Sequence, residues 1–321
     1  MSAPAHPADT PTIRIGARRS PLAVAQADWV ADRLRALGAA VELVGIDTRG
    51  DVDRRHLTEI GGTGVFAAAV REALLADEID VAVHSMKDLP TAPAPGLVIA
   101  AIPEREDPRD VLVGQRLDTL TDGMVVGTGS PRRAAQLQAY ADSRGLTLEF
   151  RPIRGNVGTR LGLVERGEVD ATVLAAAGLR RLGLMESLPR HEILDPDLLA
   201  PAAAQGALAI EIAEAARPGV PELVGRLDDP ATRAAVTAER EFLRTLEAGC
   251  LAPVGVIART AGKTTGESDL TLAAVIGRTF LSTSAQTGSD EALVRIAGTA
   301  AAGQGAELGR ELAGQALARL G

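Results

Sequence analysis

Residues 12–38 read TIRIGARRSPLAVAQADWVADRLRALG, a β-branched run followed by apolar residues at helical spacing. The run at 12–16 is predicted to be a strand, and 21–37 a helix that begins after Ser20 and stops at Gly38. Serine is a favoured helix N-cap and the proline after it a favoured first helical residue. The stretch therefore predicts a strand-to-helix junction.

The alternation continues beyond this helix. Strands are predicted at 41–46 and 79–83, and a helix at 64–75. A βαβαβ order predicts a parallel sheet with right-handed crossovers. The polar, glycine-ended segment 48–63 interrupts this order and is predicted to be a mobile loop over a site.

A second α/β pattern starts after 89–103, which carries four prolines and is predicted to cross between two lobes. The next elements are predicted as strands at 124–127, 146–150 and 171–174 and helices at 130–142, 157–166 and 175–182. A strand-like segment at 207–212 has no helix of its own and is predicted to return to the first lobe, whereas 217–230 is predicted to be a linker. Two α/β lobes in series predict a cleft between them.

The pattern changes after the linker, and this change predicts a small α+β third domain. Its elements are predicted as a helix at 231–247, strands at 254–259 and 270–276, and a helix at 303–320. The predicted domains are residues 12–103 with 206–223, residues 109–199, and residues 228–321.

The composition excludes several classes of protein. A formal net charge of −8 argues against a nucleic-acid partner, since phosphate binding needs a basic surface. No uncharged window approaches the ~20 apolar residues of a membrane span, and the polar start at 1–11 lacks the features of a secretion signal. The chain is therefore expected in the cytoplasm, without a nucleic-acid or membrane partner.

Cysteine and lysine are rare in this chain. Cys250 is the only cysteine, so neither an internal disulfide nor a multi-cysteine metal site is possible. All but Lys87 and Lys263 of the 34 basic residues are arginine. The arginine total reflects a composition bias, and no metal or nucleotide site is predicted.

Arginines recur where predicted strands lead into helices. They are Arg18, Arg19, Arg132, Arg133, Arg151, Arg154, Arg160, Arg180 and Arg181. Ligands of parallel α/β folds bind beyond the carboxyl ends of the strands. Guanidinium groups there, together with the free amides of a helix start, bind anions. The joint placement predicts a polyanion site, and carboxylates suit it because a guanidinium fork binds them bidentately.

Two further features each allow two interpretations. Lys87 and Asp88 follow a predicted strand and precede a proline turn, either as a surface ion pair or as part of a site. Cys250 is either an inert buried thiol or an exposed thiol that carries a group covalently. A cysteine–histidine hydrolase is disfavoured, because His84 belongs to the Lys87 segment and no other histidine is placed to activate the thiol.

Several short motifs follow one another in a specific order. They are RRSPLA at 18–23, TRGD at 48–51, HSMKDLP at 84–90, EREDPRD at 104–110, GTGSPRR at 127–133, RGNVGTRL at 154–161, QGA at 205–207 and EAGC at 247–250. With these motifs the chain resembles the porphobilinogen deaminase (hydroxymethylbilane synthase) family. The resemblance implies two α/β lobes like those of periplasmic binding proteins around a cleft, plus a small α+β C-terminal domain.

The resemblance also implies an activity. It is that of a transferase of porphyrin and heme biosynthesis with a covalent dipyrromethane cofactor, attached as a thioether at the position of Cys250. Four porphobilinogen units add head to tail to this primer, each losing ammonia, and water then releases hydroxymethylbilane. Each pyrrole carries an acetate and a propionate, which accounts for a polyanion site. The family expectation is a monomer.

Site residues follow from the motif matches. Asp88 matches the catalytic aspartate, which stabilises positive charge on the pyrroles or handles protons. The implied cofactor-binding positions are Cys250, Lys87, Ser130, Arg132, Arg133, Arg154 and Arg160. The implied substrate-binding positions are Arg18, Ser20, Arg154, Arg160 and Arg181. Gly129 and Pro131 depart from the family pattern, so anion binding near them rests on amides and arginines more than on hydroxyls. Thr63 stands where many members carry lysine, so the loop 48–62 is expected to hold anions less strongly.

Two alternatives from other classes stay open. A bilobal anion- or solute-binding module without catalysis would have no need of Cys250. A Schiff-base enzyme would use Lys87 as its nucleophile. A covalent mass increment on the protein, release of ammonia and borohydride trapping discriminate among the three hypotheses.

Overall fold

The computed structural model describes residues 12–47, 65–248, 252–261, 269–278 and 293–320. The strands are β1 Ile13–Arg18, β2 Val41–Ile46, β3 Val81–Ser85, β4 Leu97–Ala101, β5 Asp110–Val113, β6 Val125–Gly127, β7 Glu149–Arg151, β8 Ala171–Ala175, β9 His191–Ile193, β10 Leu208–Ala213, β11 Val254–Ala261, β12 Asp269–Gly277 and β13 Leu293–Ala301. The helices are α1 Pro21–Ala36, α2 Val65–Leu75, α3 Pro131–Ser143, α4 Val157–Glu165, α5 Ala176–Arg181, α6 Val220–Gly225, α7 Pro230–Thr245 and α8 Gly305–Leu320. The predicted loop at 48–63 and Cys250 lie outside the described residues.

The first compact unit, here called lobe 1, consists of Met1–Glu104 and Leu208–Asp229. Its sheet has the strand order β2-β1-β3-β10-β4. β1 is parallel to β2 and β3, as the βαβαβ pattern predicts, whereas β10 is antiparallel to β3 and β4. β10, from residues 208–213, therefore lies inside a sheet whose other four strands all come from the first 101 residues of the chain.

The lobe 1 sheet is covered by helices on both faces. Val83 of β3 packs in a cluster with Leu34 of α1, and the neighbouring Ala82 packs with Val70 of α2. Successive residues of a strand point to opposite faces, so a strand covered on both sides is apolar throughout. The continuous apolar run at the start of β3 follows from this burial.

The second compact unit consists of Arg105–Ala207 and Pro230–Gly321. Its first part, here called lobe 2, contains a sheet of order β7-β6-β8-β5-β9, in which β6 is parallel to β7 and β8 and β5 is antiparallel to both its neighbours. Its second part, here called the third domain, is an antiparallel sheet β11-β12-β13 packed against α7 and α8.

The third domain contacts lobe 2 within this unit. Val275 and Leu293 of its sheet cluster with Ala200 and with α3, and Val256 N donates a hydrogen bond to Pro201 O at 2.8 Å. Two α/β lobes and a small α+β domain confirm the predicted fold class. The division of this unit at 109–199 and 228–321 stays a prediction.

Two segments predicted to be connections, the crossover 89–103 and the linker 217–230, contain regular structure. β4 lies within the proline-rich stretch 89–103, because its prolines flank the five apolar residues of the strand and leave their backbone N–H groups intact. α6 lies within the predicted linker 217–230, where a proline in its first turn is compatible with a helix. In both cases proline marks the end of an element and not its absence.

Candidate active site

Arg18 and Ser20 lie where β1 leads into α1. Arg18 ends the strand and is half-buried. Ser20 is the N-cap, and its Oγ accepts a hydrogen bond from Ala23 N at 3.4 Å. On the same helix the buried Gln26 amide donates to Ser85 Oγ at the end of β3, at 2.8 Å. The start of α1 and the end of β3 are thereby joined at one edge of the sheet.

Lys87 and Asp88 lie on a single 3₁₀ turn, Met86–Asp88, that follows β3. Met86 is 2% exposed and Leu89 is 3% exposed, so an apolar side chain anchors each end of the turn. Leu89 N donates to Met86 O at 3.2 Å. Between these anchors Lys87 is half-buried and Asp88 is exposed. The Asp88 carboxylate therefore combines a held backbone with access for a ligand.

A buried charge cluster lies at the end of β3 beside this turn. The carboxylate of Glu211, on β10, accepts hydrogen bonds from Arg71 of α2 at 2.8 and 2.7 Å. His84 Nε2 lies 3.2 Å from Glu211 Oε2, an ion-pair distance without good hydrogen-bond geometry. Burial raises the pKa of Glu211, but the His84 and Arg71 groups outweigh burial and lower this pKa to about 2. The cluster was not predicted from the sequence, although the single charged residue in the apolar strand LAIEIA is a signal for it.

Arg132 and Arg133, in the first turn of α3, are both buried. Arg132 Nη1 donates to Asp110 Oδ2 at 2.8 Å and to Ala200 O at 2.6 Å. Arg133 Nη2 donates to Asp110 Oδ1 at 2.7 Å, and its Nη1 donates to Val173 O at 2.7 Å. Two guanidinium groups thus share one carboxylate in the interior of lobe 2.

This shared carboxylate leaves an excess of positive charge. Burial raises the pKa of Asp110, which is 0% exposed, but Arg132 and Arg133 outweigh burial and hold that pKa well below its usual range. Burial lowers the pKa of Arg132, and Asp110 opposes the change. Within the described part of the chain, Arg133 Nε is a buried donor without a hydrogen-bond partner. The excess charge and the unmatched donor together fit an anionic ligand.

The backbone before α3 passes close to the segment after β7. A Cβ at Gly129 would lie 2.9 Å from Ile153 O, so a serine at this position would require the backbone to shift. Ser130 N donates to Thr128 Oγ1 at 3.2 Å, and Ser130 itself is half-buried at the N-cap of α3. Glycine at 129, which departs from the family pattern, permits this close approach.

The other predicted arginines of lobe 2 are more accessible. Arg154, after β7, is exposed. Arg160 of α4 is half-buried, and its Nε donates to Gly155 O at 2.9 Å. Arg181 ends α5, and its Nη2 donates to Gly206 O at 2.8 Å. Burial lowers the pKa of Arg181 to about 10, so the guanidinium stays charged at neutral pH.

The predicted residues fall into two sets, one in each compact unit. Lobe 1 carries Arg18, Ser20, Lys87 and Asp88, and lobe 2 carries Ser130, Arg132, Arg133, Arg154, Arg160 and Arg181. Asp110, whose carboxylate holds two of these arginines, was missed as a site residue.

In the residues that the structure describes, no cluster of His, Cys, Asp and Glu could hold a metal ion, and no helix has the length and apolarity of a membrane span.

Two α/β lobes that carry arginines at strand-to-helix junctions, with Lys87 and the exposed Asp88 in lobe 1, suit a ligand with several carboxylates. The chain matches the model of the porphobilinogen deaminase dipyrromethane cofactor binding domain over residues 13–218 and that of the porphobilinogen deaminase C-terminal domain over 233–318. It belongs to the porphobilinogen deaminase family. The predicted family is confirmed, and with it a transferase of tetrapyrrole biosynthesis that has a dipyrromethane cofactor.

Two relatives named porphobilinogen deaminase 1 agree with this assignment. The chain is 52% identical over 312 residues to porphobilinogen deaminase 1 of Streptomyces coelicolor, covering 96% of this chain and 97% of the relative. It is 50% identical over 318 residues to porphobilinogen deaminase 1 of Streptomyces avermitilis, covering 96% and 95%. Among solved structures, the chain is similar to the probable amino-acid ABC transporter extracellular-binding protein ytmK of Bacillus subtilis. The TM-score is 0.39 and the sequence identity 11%, and the match covers 68% of this chain and 90% of the ytmK chain.

Proposed function

We propose that this chain joins four porphobilinogen units head to tail on a dipyrromethane attached to Cys250, with Asp88 as the catalytic carboxylate. Ammonia leaves at each addition, and water releases hydroxymethylbilane at the end. The observation that carries the proposal is the 3₁₀ turn Met86–Asp88, which holds an exposed carboxylate and a half-buried lysine side by side at the end of β3.

Asp88 stabilises the positive charge that develops when ammonia leaves the aminomethyl group of the substrate. A carboxylate accepts hydrogen bonds from pyrrole N–H groups, and these bonds strengthen as the ring becomes cationic. The apolar anchors Met86 and Leu89 keep the carboxylate in place, so little reorganisation is needed during the reaction. An amide at the same position would lose the charge and keep the shape.

The cationic side chains hold acetate and propionate groups. Lys87 and Arg18 serve this purpose in lobe 1, and Arg154, Arg160 and Arg181 do so in lobe 2. The excess positive charge of the Arg132–Arg133–Asp110 cluster and the unmatched Arg133 Nε fit a carboxylate of the cofactor. When bound, the dipyrromethane supplies the terminal pyrrole to which the first substrate unit is joined.

Asp88→Asn is expected to keep the fold and to lose most turnover, by ~10²-fold or more, because one preorganised charge is removed from the transition state. Product formation and ammonia release measure this effect. Asp28→Asn, an exposed carboxylate on α1 of the same lobe, is the matched control and is expected to remain active. Near-normal product formation by Asp88→Asn would refute the assignment.

Cys250 is tested separately by intact-protein mass spectrometry. The wild-type chain is expected to carry the added mass of two pyrrole rings, and Cys250→Ala is expected to lack it. An active wild-type enzyme with an unmodified mass would contradict the proposed attachment of the cofactor at Cys250. Absence of both the added mass and ammonia release would instead favour a binding module without catalysis.

The proposal includes a monomeric enzyme of the cytoplasm with porphobilinogen as its small-molecule substrate and no nucleic-acid or membrane partner. Its support is the net charge of −8 and the family expectation. Sedimentation velocity at micromolar concentration is expected to give the mass of one 33.1 kDa chain. A dimer mass there would contradict the monomer.

A further inference from the structure

We propose that Asp110 is a positioning residue of the cofactor site, which holds Arg132 and Arg133 in the orientation in which they receive a carboxylate of the dipyrromethane. The inference rests on the proposed function, since it takes these two arginines as cofactor ligands. Asp110 itself, at 0% exposure, makes no contact with a ligand. Its role is exerted through the two arginines.

The hydrogen bonds of Asp110 fix its carboxylate from three directions. Oδ2 accepts from Arg132 Nη1 at 2.8 Å, and Oδ1 accepts from Arg133 Nη2 at 2.7 Å and from Gln205 Nε2 at 2.9 Å. The same Gln205 amide donates to Pro108 O at 2.8 Å. A carboxylate with these donors cannot rotate without breaking one of the bonds. Since a guanidinium is planar, a bond at one end restricts the direction of the donors at the other.

A second aspartate in lobe 1 shows what is particular about this cluster. Asp80 also contacts two arginines, but the Arg14 and Arg217 side chains are 30% and 39% exposed, so water screens their excess charge. The Arg132 and Arg133 side chains are only 5% and 8% exposed. An unneutralised charge is costly in such surroundings. The lobe 2 cluster therefore has both a charge and a donor, Arg133 Nε, that an anion would satisfy.

Loss of the Asp110 negative charge has two opposing effects on Arg132 and Arg133. It raises their net positive charge, which attracts an anion, but it removes the group that holds them in place, and we expect this second effect to be the larger. Two guanidinium groups with no carboxylate between them repel each other strongly in a medium of low dielectric constant. An asparagine at 110 would also turn an N–H₂ group towards one of them. Arg132 and Arg133 would then lose their common orientation, although the volume of the side chain at 110 is unchanged.

The test compares wild type, Asp110→Asn and Asp80→Asn as full chains produced in the same way. Intact-protein mass spectrometry gives the fraction of each that carries the two-ring adduct, and thermal unfolding gives its Tm. We expect the loaded fraction of Asp110→Asn to be at least tenfold lower than that of wild type. Asp80→Asn, which loses a buried aspartate shared by two arginines, is expected to show a lower Tm with wild-type loading.

A charge-preserving variant separates positioning from packing. Asp110→Glu restores the negative charge but adds a methylene at a fully buried position, which packing disfavours. If Asp110 positions the arginines, the glutamate variant loads more cofactor than the asparagine variant. If Asp110 only fills space, the order is reversed and the proposal fails.

Failure of the role of Asp110 and failure of the proposed function give different results. Loading of Asp110→Asn equal to that of Asp80→Asn, with only the Tm reduced, overturns the role of Asp110. If Asp110→Asn does not fold, Gln205→Met is measured in its place, because it removes one hydrogen-bond donor to Asp110. We expect Gln205→Met to lose loading with cofactor threefold or more. Loading equal to that of wild type would overturn the inference. An active wild-type enzyme without any adduct overturns the proposed function instead.

Discussion

Buried carboxylates of this chain are matched by arginine. Among the described residues Asp80, Asp110, Glu211 and Glu239 are buried, and each contacts at least one guanidinium group. Removal of one partner from such a pair leaves an uncompensated charge, which costs more than the pair contributes. The arginine bias of the sequence therefore has structural consequences inside both lobes as well as at the strand ends.

Glu211 makes the stability of lobe 1 depend on pH. The carboxyl has a pKa of about 2 in the folded chain against 4.5 ordinarily, so the unfolded chain binds more protons between these values. Stability is then fully present above about pH 4.5 and is lost as the pH falls towards 2. The gap corresponds to roughly 3 kcal/mol in the free energy of unfolding.

Glu211→Gln is expected to be less stable than wild type at pH 7, with a difference that shrinks as the pH falls to about 2. Urea unfolding at a series of pH values measures it. Glu42→Gln, an exposed carboxylate on β2, is the control and is expected to follow wild type. A constant difference between Glu211→Gln and wild type from pH 7 to 2 would contradict the assigned linkage.

At the scale of elements, α7 and α8 of the third domain cross at a glycine. A Cβ at Gly309 of α8 would lie 2.5 Å from Ala238 O and 3.0 Å from Phe242 N, both backbone atoms of α7. A backbone cannot give way as a flexible side chain does. The helices would have to separate over Phe242, which is fully buried in the core of this domain.

Gly309→Ala is therefore expected to destabilise the chain by about 1–3 kcal/mol. Gly314, on the same helix, is the matched control, because a Cβ there would have no atom within 4 Å beyond its chain neighbours and the backbone of its own helix. Gly314→Ala is expected to stabilise the helix by about 0.5–1 kcal/mol, because alanine loses less backbone entropy. Denaturant unfolding measures both, and equal effects of the two substitutions would disprove the close crossing.

Elements with a strong local pattern could be predicted from the sequence. β1, α1 and β3 follow from apolar spacing, a serine cap and a proline, all of which act within a few residues. β4 and α6 were not predicted, since the proline-rich stretch around β4 was interpreted as a crossover and the segment around α6 as a linker. The place of β10 in lobe 1 was expected from its lack of a neighbouring helix, but its position between β3 and β4 depends on pairings between distant residues.

The candidate site was predictable to the same degree. Ordered motifs predicted Asp88, Lys87 and the arginines as site residues, and strand-end placement predicted their positions next to helix starts within each lobe. No local pattern shows that Arg132 and Arg133 are buried on Asp110, because 22 and 23 residues separate them from their partner. Pairs such as Arg71 with Glu211, 140 residues apart, are likewise visible only in the folded chain.

At the scale of the whole molecule, lobe 1 is assembled from two separate parts of the chain. β10 pairs with β3 on one side and with β4 on the other. Its Leu208 and Ile210 belong to the core cluster that contains Ile15 and Leu34. Without β10 the sheet would be split, and both inner edges would expose unpaired backbone groups.

A fragment of residues 1–207 is expected to leave lobe 1 without a stable sheet, whereas 1–229 retains it. The two fragments share all of lobe 2 up to Ala207 and differ only in the segment with β10 and α6. Hydrogen exchange of the amides of β1 and β3 distinguishes them, with protection expected in the longer fragment alone. Equal protection in both would show that β10 is dispensable.

The position of β10 in the sequence also affects how lobe 1 folds during translation. β4 ends at Ala101 and β10 begins at Leu208, so roughly a hundred residues are translated between them. At ~5–20 residues per second the nascent chain waits on the order of 5–20 s for its last strand. During that interval the edges of β3 and β4 that pair with β10 have no native partner, and unpaired strand edges in a nascent chain favour aggregation. Shielding by a chaperone or a slow local translation rate would matter most for this first hundred residues.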